Sequence, residues 1–328
     1  MNILVIGLGS MGRRRIRLLK KNLNIHSVIG VDVEAERRSL AEAEYGIKTY
    51  SNLKEAICAN QFDCAFVCSA PLSHFGIIDK CLDYKINIFS EINLVSKGYE
   101  RLISKAKKND CKLFLSSTPM YRREIQYIIQ RVKNSKEKLN YIYHMGQYLP
   151  DWHPWESYKE FFVGDKQTNG CREIFAIELP WILDAFGEVE SVYSVKSKNT
   201  SLEIDYNDNY IAIIKHKNGH KGVVCFDVIS RKATKNFEVY GETLHIQWGG
   251  TSETLLDFNL ESAVSEKIIT YASIDKNPDY SEHIIENMYV DEIVDFMNYM
   301  QNDAIPRYSF EKDINTLKII DEIESGSI

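Results

Sequence analysis

The chain has 328 residues, of which 44% are hydrophobic and 26% charged, and its formal net charge is −6. This composition is ordinary for a soluble globular protein, and the length suggests two domains. The net negative charge argues against a nucleic acid partner. There is neither a run of 18 apolar residues nor a cleavable leader, so we expect a cytoplasmic protein that neither enters a membrane nor is secreted.

Seven cysteines are scattered along the chain without a C-x-x-C pair. We therefore expect reduced thiols, and no metal site is predicted. Most of them fall in apolar or strand-like stretches: Cys64, Cys68, Cys81, Cys111, Cys171 and Cys225.

The first residues combine a strand with a glycine motif. An apolar stretch ending at Ile6 runs directly into three glycines spaced G-x-G-x-x-G, and a helix-like segment follows. In this pattern one glycine permits a tight turn, the second lets the backbone approach a pyrophosphate, and the third lets the helix pack on the strand. The predicted dinucleotide site comprises Gly7, Gly9, Ser10, Met11 and Gly12.

An acidic residue at the end of the second strand indicates which dinucleotide binds. Asp32 lies 20 residues after Gly12, where a carboxylate can accept hydrogen bonds from the adenosine ribose. A carboxylate and a 2′-phosphate about 4 Å apart repel by ~4 kcal/mol at an effective dielectric of about 20, so we expect NAD. Arg37 and Arg38 could soften this repulsion, which leaves NADP as the less favoured cofactor. An ordinary exposed acid is the alternative for Asp32.

Three consecutive arginines occupy positions 13–15, early in the first predicted helix. No aromatic residues are interleaved with them, as they are in many nucleic acid sites. We interpret these arginines mainly as a solvated helix face, with the alternative that Arg13 reaches a phosphate.

Short β-branched or aromatic stretches alternate with amphipathic segments up to about residue 115. Strands are predicted near residues 2–6, 27–32, 64–67, 87–90 and 112–115, with helices between them. This alternation is typical of an α/β fold with a doubly wound parallel sheet, the Rossmann arrangement. We assign residues 1–120 to this dinucleotide-binding domain.

Polar residues follow two of these strands. Ser69, Pro71 and His74 come after the third strand, and Glu91 follows the fourth. Because ligands bind at the carboxyl ends of parallel strands, these residues are predicted to contact the cofactor in one crevice. Taken singly, His74 and Glu91 are also typical of helix-capping or helix-surface positions, which is the alternative.

Residues 121–328 follow a different pattern. Helices are predicted near 121–134 and 172–185 and a strand at 140–147, and strand-like sequence dominates from Val189 to about Asn259. Two strand-like stretches are joined by an Asn-Gly pair, Asn218-Gly219, which predicts a hairpin. We expect a substrate-binding α+β domain with a largely antiparallel, open sheet.

One face of this sheet should pack on helices, whereas the other is rich in apolar and aromatic residues that need cover. We therefore expect a homodimer or higher homo-oligomer formed through the sheet. Two helices with a break at Pro306 are predicted to close the chain, the second capped by Ser309.

The glycine loop, the turn from Ser69 to His74 and Glu91 at the start of a crossover resemble those of the Gfo/Idh/MocA oxidoreductase family. The resemblance covers nearly the whole chain, including the paired helices around Pro306. It implies a dinucleotide-binding domain followed by an α/β substrate domain with an open, dimer-forming sheet. Members of the family usually oxidise or reduce sugars, inositols or sugar nucleotides with NAD or NADP.

The segment from Gly146 to Glu156 resembles a branch of that family associated with bacterial surface glycans and nonulosonic acids. It offers aromatic faces for sugar rings and polar groups for hydroxyls. An aromatic loop clamped onto a domain interface is the alternative. The side chains concerned are Tyr148, Asp151, Trp152, His153, Trp155 and Glu156.

Two positions depart from the family pattern. The family usually follows its glutamate with Lys-Pro, and that lysine supplies or positions the proton during hydride transfer. Here Ile92 follows Glu91. The family also commonly carries an aspartate and a histidine on a helix of the second domain, and the histidine position is occupied by Ile177. Isoleucine has no titratable group, so the usual proton donors are absent.

Glu178 and His153 are the predicted replacements in acid/base catalysis. Glu178 lies in an apolar stretch, and burial raises the pKa of a carboxyl group so that it can shuttle protons near neutral pH. A structural ion pair with Arg172 or Arg123 is the alternative. Glu173 lies five residues earlier, about 140° around the helix from Glu178.

Further polar and aromatic residues are predicted to bind substrate. Adjacent arginines at 122 and 123 can hold a carboxylate or phosphate bidentately, and surface exposure is their alternative. The predicted substrate set is Tyr121, Arg122, Arg123, Tyr148, Trp152 and Arg172.

Three functions are consistent with these features. The leading hypothesis is an NAD-dependent oxidoreductase that acts on a sugar, sugar nucleotide or nonulosonate derivative with a non-standard acid/base. A catalytically silent dinucleotide-binding sensor or partner subunit is the second. The third is an epimerase or lyase that retains NAD and oxidises its substrate only transiently.

Overall fold

A computed structural model describes residues 1–25, 27–153, 156–277, 283–302 and 304–326. Trp155, which the sequence placed in the aromatic loop, lies outside the described residues. The chain forms two compact units. Unit 1 comprises Met1–Ser117 and Tyr289–Ile314, and unit 2 comprises Thr118–Met288 and Asn315–Ile328.

Unit 1 is built on a six-stranded parallel sheet with the strand order β3-β2-β1-β4-β5-β6. This order, with the helices between successive strands, is the doubly wound Rossmann arrangement. The strands are β1 Ile3–Ile6, β2 Val28–Val31, β3 Lys48–Tyr50, β4 Cys64–Val67, β5 Asn87–Ser90 and β6 Leu113–Leu115. The helices are α1 Ser10–Leu23, α2 Ala35–Tyr45, α3 Leu53–Ala59, α4 His74–Asp83 and α5 Tyr99–Asn109.

The parallel sheet confirms the fold class predicted from the alternating pattern. β4 is buried along its whole length, as its continuously apolar sequence indicated, because helices cover both faces of such a sheet. The three-residue edge strand β3 was not predicted. It contains Lys48 and Thr49, has no apolar run, and pairs only with β2 within the described sheet.

The arginine run of α1 is not a solvated face, so that prediction was wrong. Arg14 is 4% exposed and Arg15 is fully buried. The guanidinium carbon of Arg14 lies 4.4 Å from the ring centre of Tyr289. Arg15 forms ion pairs inside unit 1, so each charge has a neighbour that offsets the cost of its burial.

Unit 2 contains an eight-stranded sheet with the order β14-β13-β12-β11-β7-β10-β9-β8. All neighbouring strands are antiparallel except β7 and β10, which run parallel. The prediction of a largely antiparallel sheet is confirmed. The strands are β7 Asn140–Gly146, β8 Val189–Ser197, β9 Asn209–His216, β10 Lys221–Asp227, β11 Thr234–Tyr240, β12 His245–Trp248, β13 Leu255–Asn259 and β14 Val264–Lys267.

The predicted hairpin joins β9 and β10. The amide of Gly219 donates to the carbonyl of His216 at 2.9 Å, which closes the turn. Gly219 adopts a φ of +92°, a conformation that glycine enters without strain. The turn therefore depends on the glycine of the Asn-Gly pair.

Helices α6 (Arg123–Asn134) and α7 (Gly170–Phe186) belong to unit 2. The side chain of Asn169 caps α7 by accepting a hydrogen bond from the amide of Arg172 at 2.7 Å. Most of α7 is buried, including Trp181 and Phe186. This burial explains why the helix tolerates Pro180 in its interior, since packing compensates for the missing hydrogen bond.

The other face of the unit 2 sheet carries exposed apolar side chains on neighbouring strands. Tyr193 is 58% exposed and Ile213 51%. Single exposed hydrophobic residues are ordinary, but a contiguous group indicates an interaction surface. We call this group the open face: Ile142, Tyr193, Val195, Ile211, Ile213 and Tyr240.

Two helices close the chain, as predicted: α8 (Glu286–Asn302) and α9 (Phe310–Ser325). The hydroxyl of Ser309 accepts a hydrogen bond from the amide of Lys312 at 3.4 Å, which confirms the predicted cap. All seven cysteines are free thiols. Among the described residues, no helix has both the length and the apolar character to cross a membrane.

Candidate functional site

The three glycines of the first loop have different surroundings. A Cβ on Gly12 would lie 1.8 Å from the carbonyl oxygen of Gly7, and a Cβ on Gly7 would lie 2.7 Å from backbone atoms of Cys68 and Ser69. A Cβ on Gly9 would meet only a side-chain atom of Arg37, at 4.0 Å. Gly7 and Gly12 are therefore required by the protein's own packing, whereas Gly9 faces open space through which a ligand can approach.

Helix α1 begins at this loop with Gly9 as its N-cap, and no side chain caps it. The amide groups of the first turn of a helix point outward and carry a partial positive charge, so they bind phosphate groups. Ser10 and Met11 lie in this turn and are partly exposed. These features fit a dinucleotide whose pyrophosphate lies against Gly9 and the start of α1.

Asp32 is not an ordinary exposed acid, since it is only 6% exposed. Its carboxylate accepts hydrogen bonds from the amides of Leu8, at 2.7 Å, and Glu34, at 2.9 Å. The first bond ties the end of β2 to the glycine loop. Each oxygen accepts one bond from the protein and can accept another, so the carboxylate remains able to receive ribose hydroxyl groups.

The two arginines that could accommodate a 2′-phosphate differ in their surroundings. Arg38 donates to the carbonyl oxygens of Asp32 and Val33, at 2.8 and 2.9 Å. Arg37 is exposed and extends toward the open side of Gly9. The guanidinium of Arg38 is thus bonded to the loop that follows β2, which leaves Arg37 as the arginine of the two that can contact a ligand.

The turn after β4 is held by His74. This side chain is 2% exposed, and its ring nitrogens lie 2.8 Å from the carbonyl oxygen of Ser69 and 2.6 Å from the side-chain oxygen of Asn93. Burial lowers the pKa of His74, so the ring is neutral near pH 7. Both nitrogens are occupied, so His74 supports the turn that carries Ser69 and Pro71, and those two residues remain predicted cofactor contacts.

Glu91 belongs to a buried ionic network in unit 1. Its carboxylate lies 2.7 Å from Nε of Arg15, and Nη2 of Arg15 lies 2.7 Å from the carboxylate of Glu292 on α8. Glu292 also accepts hydrogen bonds from Ser116 and Ser117. Burial raises the pKa of Glu292, and Arg15 opposes that rise. Ile92, the next residue, is partly exposed and apolar.

A second buried network lies in unit 2 and centres on Glu178. This residue is fully buried, and its carboxylate accepts three hydrogen bonds: from Nζ of Lys235 at 2.7 Å, the hydroxyl of Tyr143 at 2.7 Å and the indole nitrogen of Trp181 at 2.8 Å. The ion-pair partner of Glu178 is thus Lys235, and neither Arg172 nor Arg123. Since the carboxylate has no exposed surface, Glu178 cannot itself touch a ligand in this arrangement.

Lys235 lies on β11, with 9% of its side chain exposed. Its ammonium group lies 5.3 Å from the ring centre of Trp248. Burial lowers the pKa of Lys235, while Glu178 works in the opposite direction. A lysine with a lowered pKa can give up and take back a proton closer to neutral pH than an ordinary lysine.

Glu173 has surroundings unlike those of Glu178. It is partly exposed on α7, as is Ile177 one turn further along the helix. No hydrogen bond or ion pair reaches its carboxylate from the described residues. Desolvation raises the pKa of Glu173 to about 8, so this carboxyl group holds a proton at neutral pH.

The predicted substrate arginines have different environments. Arg122 is 2% exposed and forms a bidentate ion pair with Glu124, with both contacts at 3.3 Å. It also donates to the carbonyl oxygen of His283 at 2.6 Å. Arg123 is exposed, and its guanidinium carbon lies 5.0 Å from the ring centre of Tyr271. Surface exposure, the alternative for both, therefore applies to Arg123 but not to Arg122. Tyr121 is buried.

Arg172 is also committed to an ion-pair network. Its guanidinium contacts the carboxylates of Glu324 and, at 2.7 Å, Asp321, both on α9. The network ties the start of α7 to the last helix, within unit 2. The contacts of Arg172 in this structure are structural, and its binding of substrate stays a prediction.

The aromatic segment that follows β7 is fixed by backbone and ring contacts. The indole nitrogen of Trp152 donates to the carbonyl of Gln147 at 3.0 Å. Nδ1 of His153 lies 2.6 Å from the Glu156 carboxylate, and the histidine ring stacks on Phe161 with centres 4.6 Å apart. Tyr148 is partly exposed and covered on one side by Arg231, 4.1 Å from its ring centre.

Two of these features were not found from the sequence. Lys235 and Glu178 are 57 residues apart, and no local spacing signals their contact. Arg231 is an ordinary loop arginine in the sequence, and only its position over Tyr148 distinguishes it. The apolar surroundings of Glu178 were the one signal that this region contains a buried charge.

Comparison with known families identifies the N-terminal part. Residues 1–117 match the Gfo/Idh/MocA family model, described as an oxidoreductase family with an NAD-binding Rossmann fold. This part of the chain therefore has the Rossmann fold of an NAD-binding oxidoreductase family. Comparison with curated proteins gives no match.

Solved structures share the fold over nearly the whole chain. An oxidoreductase from Agrobacterium radiobacter, solved with NAD+, L-tartaric acid and magnesium, has 14% identity and a TM-score of 0.79, with 98% of this chain and 94% of that one covered. The WlbA dehydrogenase from Bordetella pertussis, solved with NADH and UDP-GlcNAcA, has 13% identity and a TM-score of 0.75, covering 98% and 95%. The UDP-N-acetylglucosamine 3-dehydrogenase GnnA from Acidithiobacillus ferrooxidans has 15% identity and a TM-score of 0.76, covering 99% and 97%.

Proposed function

We propose that this protein is an NAD-dependent oxidoreductase that acts on a sugar, a sugar nucleotide or a nonulosonate derivative. The observation that carries the proposal is the glycine loop of unit 1 together with the first turn of α1, which we call the cradle. In it Gly9 faces open space, and the amide of Leu8 holds Asp32 nearby. When bound, NAD accepts or supplies a hydride. The protein's own residues must then hold the cofactor, position a substrate carbon and handle the hydroxyl proton.

Holding the cofactor is assigned to unit 1. Gly9 and the first turn of α1 would contact the pyrophosphate, and Asp32 would accept the ribose hydroxyl groups. Glu91 supports this unit through Arg15, which joins it to Glu292. Its role in the proposal is therefore to stabilise the loop that carries Ile92.

We assign the proton to Lys235, positioned by Glu178. Lys235 is the member of the pair that retains exposed surface, and its lowered pKa suits proton transfer. Glu178 keeps the ammonium group in place and accepts two further hydrogen bonds that fix its own orientation. In this assignment Lys235 takes the role of the lysine that the family usually carries at the position of Ile92. Glu178 is then a positioning residue.

Steady-state turnover with NAD tests the assignment. Lys235→Met should reduce kcat by at least a hundredfold, because general acid/base catalysis contributes about 10²–10⁴-fold. NADH affinity should be unchanged, since the cofactor cradle belongs to unit 1. Glu173→Gln is the matched comparison: if this variant loses turnover and Lys235→Met retains it, the proton belongs to Glu173.

A second candidate is a dinucleotide-binding sensor or partner subunit without turnover. Ile92 and Ile177 favour it, because neither can exchange a proton. Tight NADH binding with no turnover on any sugar or sugar nucleotide would support this candidate. Co-purified dinucleotide together with product formation in the absence of added NAD would instead favour an epimerase or lyase.

The open face of unit 2 supports a homodimer or higher homo-oligomer. Its exposed isoleucine, valine and tyrosine side chains lie on adjacent strands, and a second copy of the sheet would cover them. Light scattering should give a mass at least twice that of one chain. Ile213→Glu should shift that mass toward the monomer, and an unchanged mass would count against the open face as the interface.

A further inference from the structure

Two cations in unit 2 have no described counter-charge. Arg231 and Lys232 are adjacent in the loop between β10 and β11, and both are exposed. Neither forms an ion pair or side-chain hydrogen bond with the described residues. Since the chain as a whole is negative, a pair of uncompensated positive charges at one loop is a local exception that attracts anions.

The loop that carries these cations is fixed by the backbone. The amide of Tyr148 donates to the carbonyl oxygen of Ser230 at 2.7 Å, and that of Leu149 donates to Val228 at 3.0 Å. The Asp227 carboxylate is turned to His144, at 2.8 Å, and to the amides of Ile229 and Ser230. The nearest acid along the chain is thus already engaged, and the loop is anchored next to the aromatic segment.

Arg231 is itself oriented by an aromatic ring. Its guanidinium carbon lies 4.1 Å from the ring centre of Tyr148, a favourable cation–π distance. This contact uses the face of the guanidinium and leaves its five in-plane N–H donors for a ligand. A planar fork of donors held in one orientation matches the oxygens of a phosphate bidentately.

We propose that Arg231 and Lys232 bind the diphosphate of a nucleoside diphosphate sugar, so that the substrate is a sugar nucleotide. Two adjacent cations match the two negative charges of a diphosphate, whereas a carboxylate sugar carries one and a free sugar none. Tyr148 holds the arginine in place from the other side. The proposal rests on the proposed oxidoreductase function and narrows its substrate class.

Calorimetric titration with UDP tests this site. Saturating NADH is present throughout, so that UDP cannot occupy the cradle of unit 1. The wild-type protein should bind UDP, and the double variant Arg231→Ala with Lys232→Ala should bind it at least tenfold more weakly. Lys217→Ala is the control: this exposed lysine of the same unit pairs with Glu188 and should not affect UDP binding. Because Arg231 and Lys232 are both exposed, the thermal unfolding temperature should be unchanged in the variants.

Three results would overturn the proposal: no UDP binding by the wild-type protein, equal binding by the double variant, or binding of N-acetylneuraminate in place of UDP through Arg231. A separate NADH titration of the same samples distinguishes the two proposals. If NADH binds and UDP does not, only the diphosphate site is wrong. If NADH does not bind, the oxidoreductase function fails, and a loss of UDP binding in the double variant still assigns UDP to Arg231 and Lys232.

Discussion

The two units build their sites in different ways. In unit 1 the proposed cofactor site is built mainly from backbone: glycines without side chains, a helix N-terminus and one carboxylate held by two backbone amides. In unit 2 the polar side chains around Glu178 come from β7, α7 and β11 and satisfy one another. A backbone site depends on residue spacing along the chain, whereas a side-chain network depends on how distant elements pack.

The largest effect should come from filling the tightest point of unit 1. Gly12→Val should abolish NADH binding, because any Cβ at this position overlaps the carbonyl oxygen of Gly7. Gly9→Ala should leave the thermal unfolding temperature unchanged and weaken NADH binding at least tenfold, since its methyl group meets no backbone of the protein but enters the space assigned to the pyrophosphate. If Gly12→Val and Gly9→Ala lowered the unfolding temperature equally, Gly9 would be required by the protein's own packing as Gly12 is.

The second largest effect should come from breaking the ion pair between Lys235 and Glu178 in unit 2. Lys235→Met leaves the Glu178 carboxylate buried without a counter-charge, and removing one partner of a buried pair typically costs about 3–5 kcal/mol. Adding Glu178→Gln should restore most of the lost free energy of unfolding, because the remaining side chain is neutral. Chemical denaturation of the two single variants and the double variant measures this coupling. If the losses in free energy of unfolding of the two single variants simply added in the double variant, a direct pair between Lys235 and Glu178 would be contradicted.

The same contrast explains how much the sequence could predict. Gly9 and Asp32 could be predicted as cofactor residues because strand, glycine spacing and strand-end acid all lie within 32 residues. Arg15 was misread because its partner Glu292 lies 277 residues away. The alternative for Glu178 named Arg172 or Arg123 as its partner, whereas the partner is Lys235, 57 residues away. Buried charges are stabilised by contacts that only the packed fold creates.

A buried histidine should make unit 2 sensitive to acid. Nε2 of His216 lies 3.0 Å from the hydroxyl of Tyr141, and burial lowers the pKa of His216 from 6.5 to about 4. Between these values the unfolded chain binds a proton that the folded protein does not, so stability is lost as the pH falls from 6.5 toward 4. At about 1.4 kcal/mol per pKa unit, the loss is at most ~3.5 kcal/mol.

Denaturant unfolding at pH 7, 5.5 and 4.5 checks this dependence. His216→Gln should flatten the profile, because glutamine is neutral throughout. The partly exposed His245, which pairs with Glu238, is the control, and His245→Gln should leave the acid-induced loss of stability at its wild-type size. An unaltered profile in His216→Gln would assign the acid sensitivity to other groups.

The smallest predicted effect concerns the choice between the two dinucleotides. Asp32→Asn removes the charge that repels a 2′-phosphate, so the preference for NADH over NADPH should fall at least tenfold, or about 1.4 kcal/mol. Competitive fluorescence titration with both dinucleotides measures the ratio. Equal changes in the two affinities would show that Asp32 acts only by holding the loop through Leu8 and Glu34.

The most direct test of the account is a fluorescence titration of the purified wild-type protein with NADH and NADPH, after any co-purified dinucleotide has been measured and removed. The account predicts saturable binding of NADH and weaker binding of NADPH. Failure of the folded protein to bind either dinucleotide would contradict it, because the glycine cradle and Asp32 would then have no ligand.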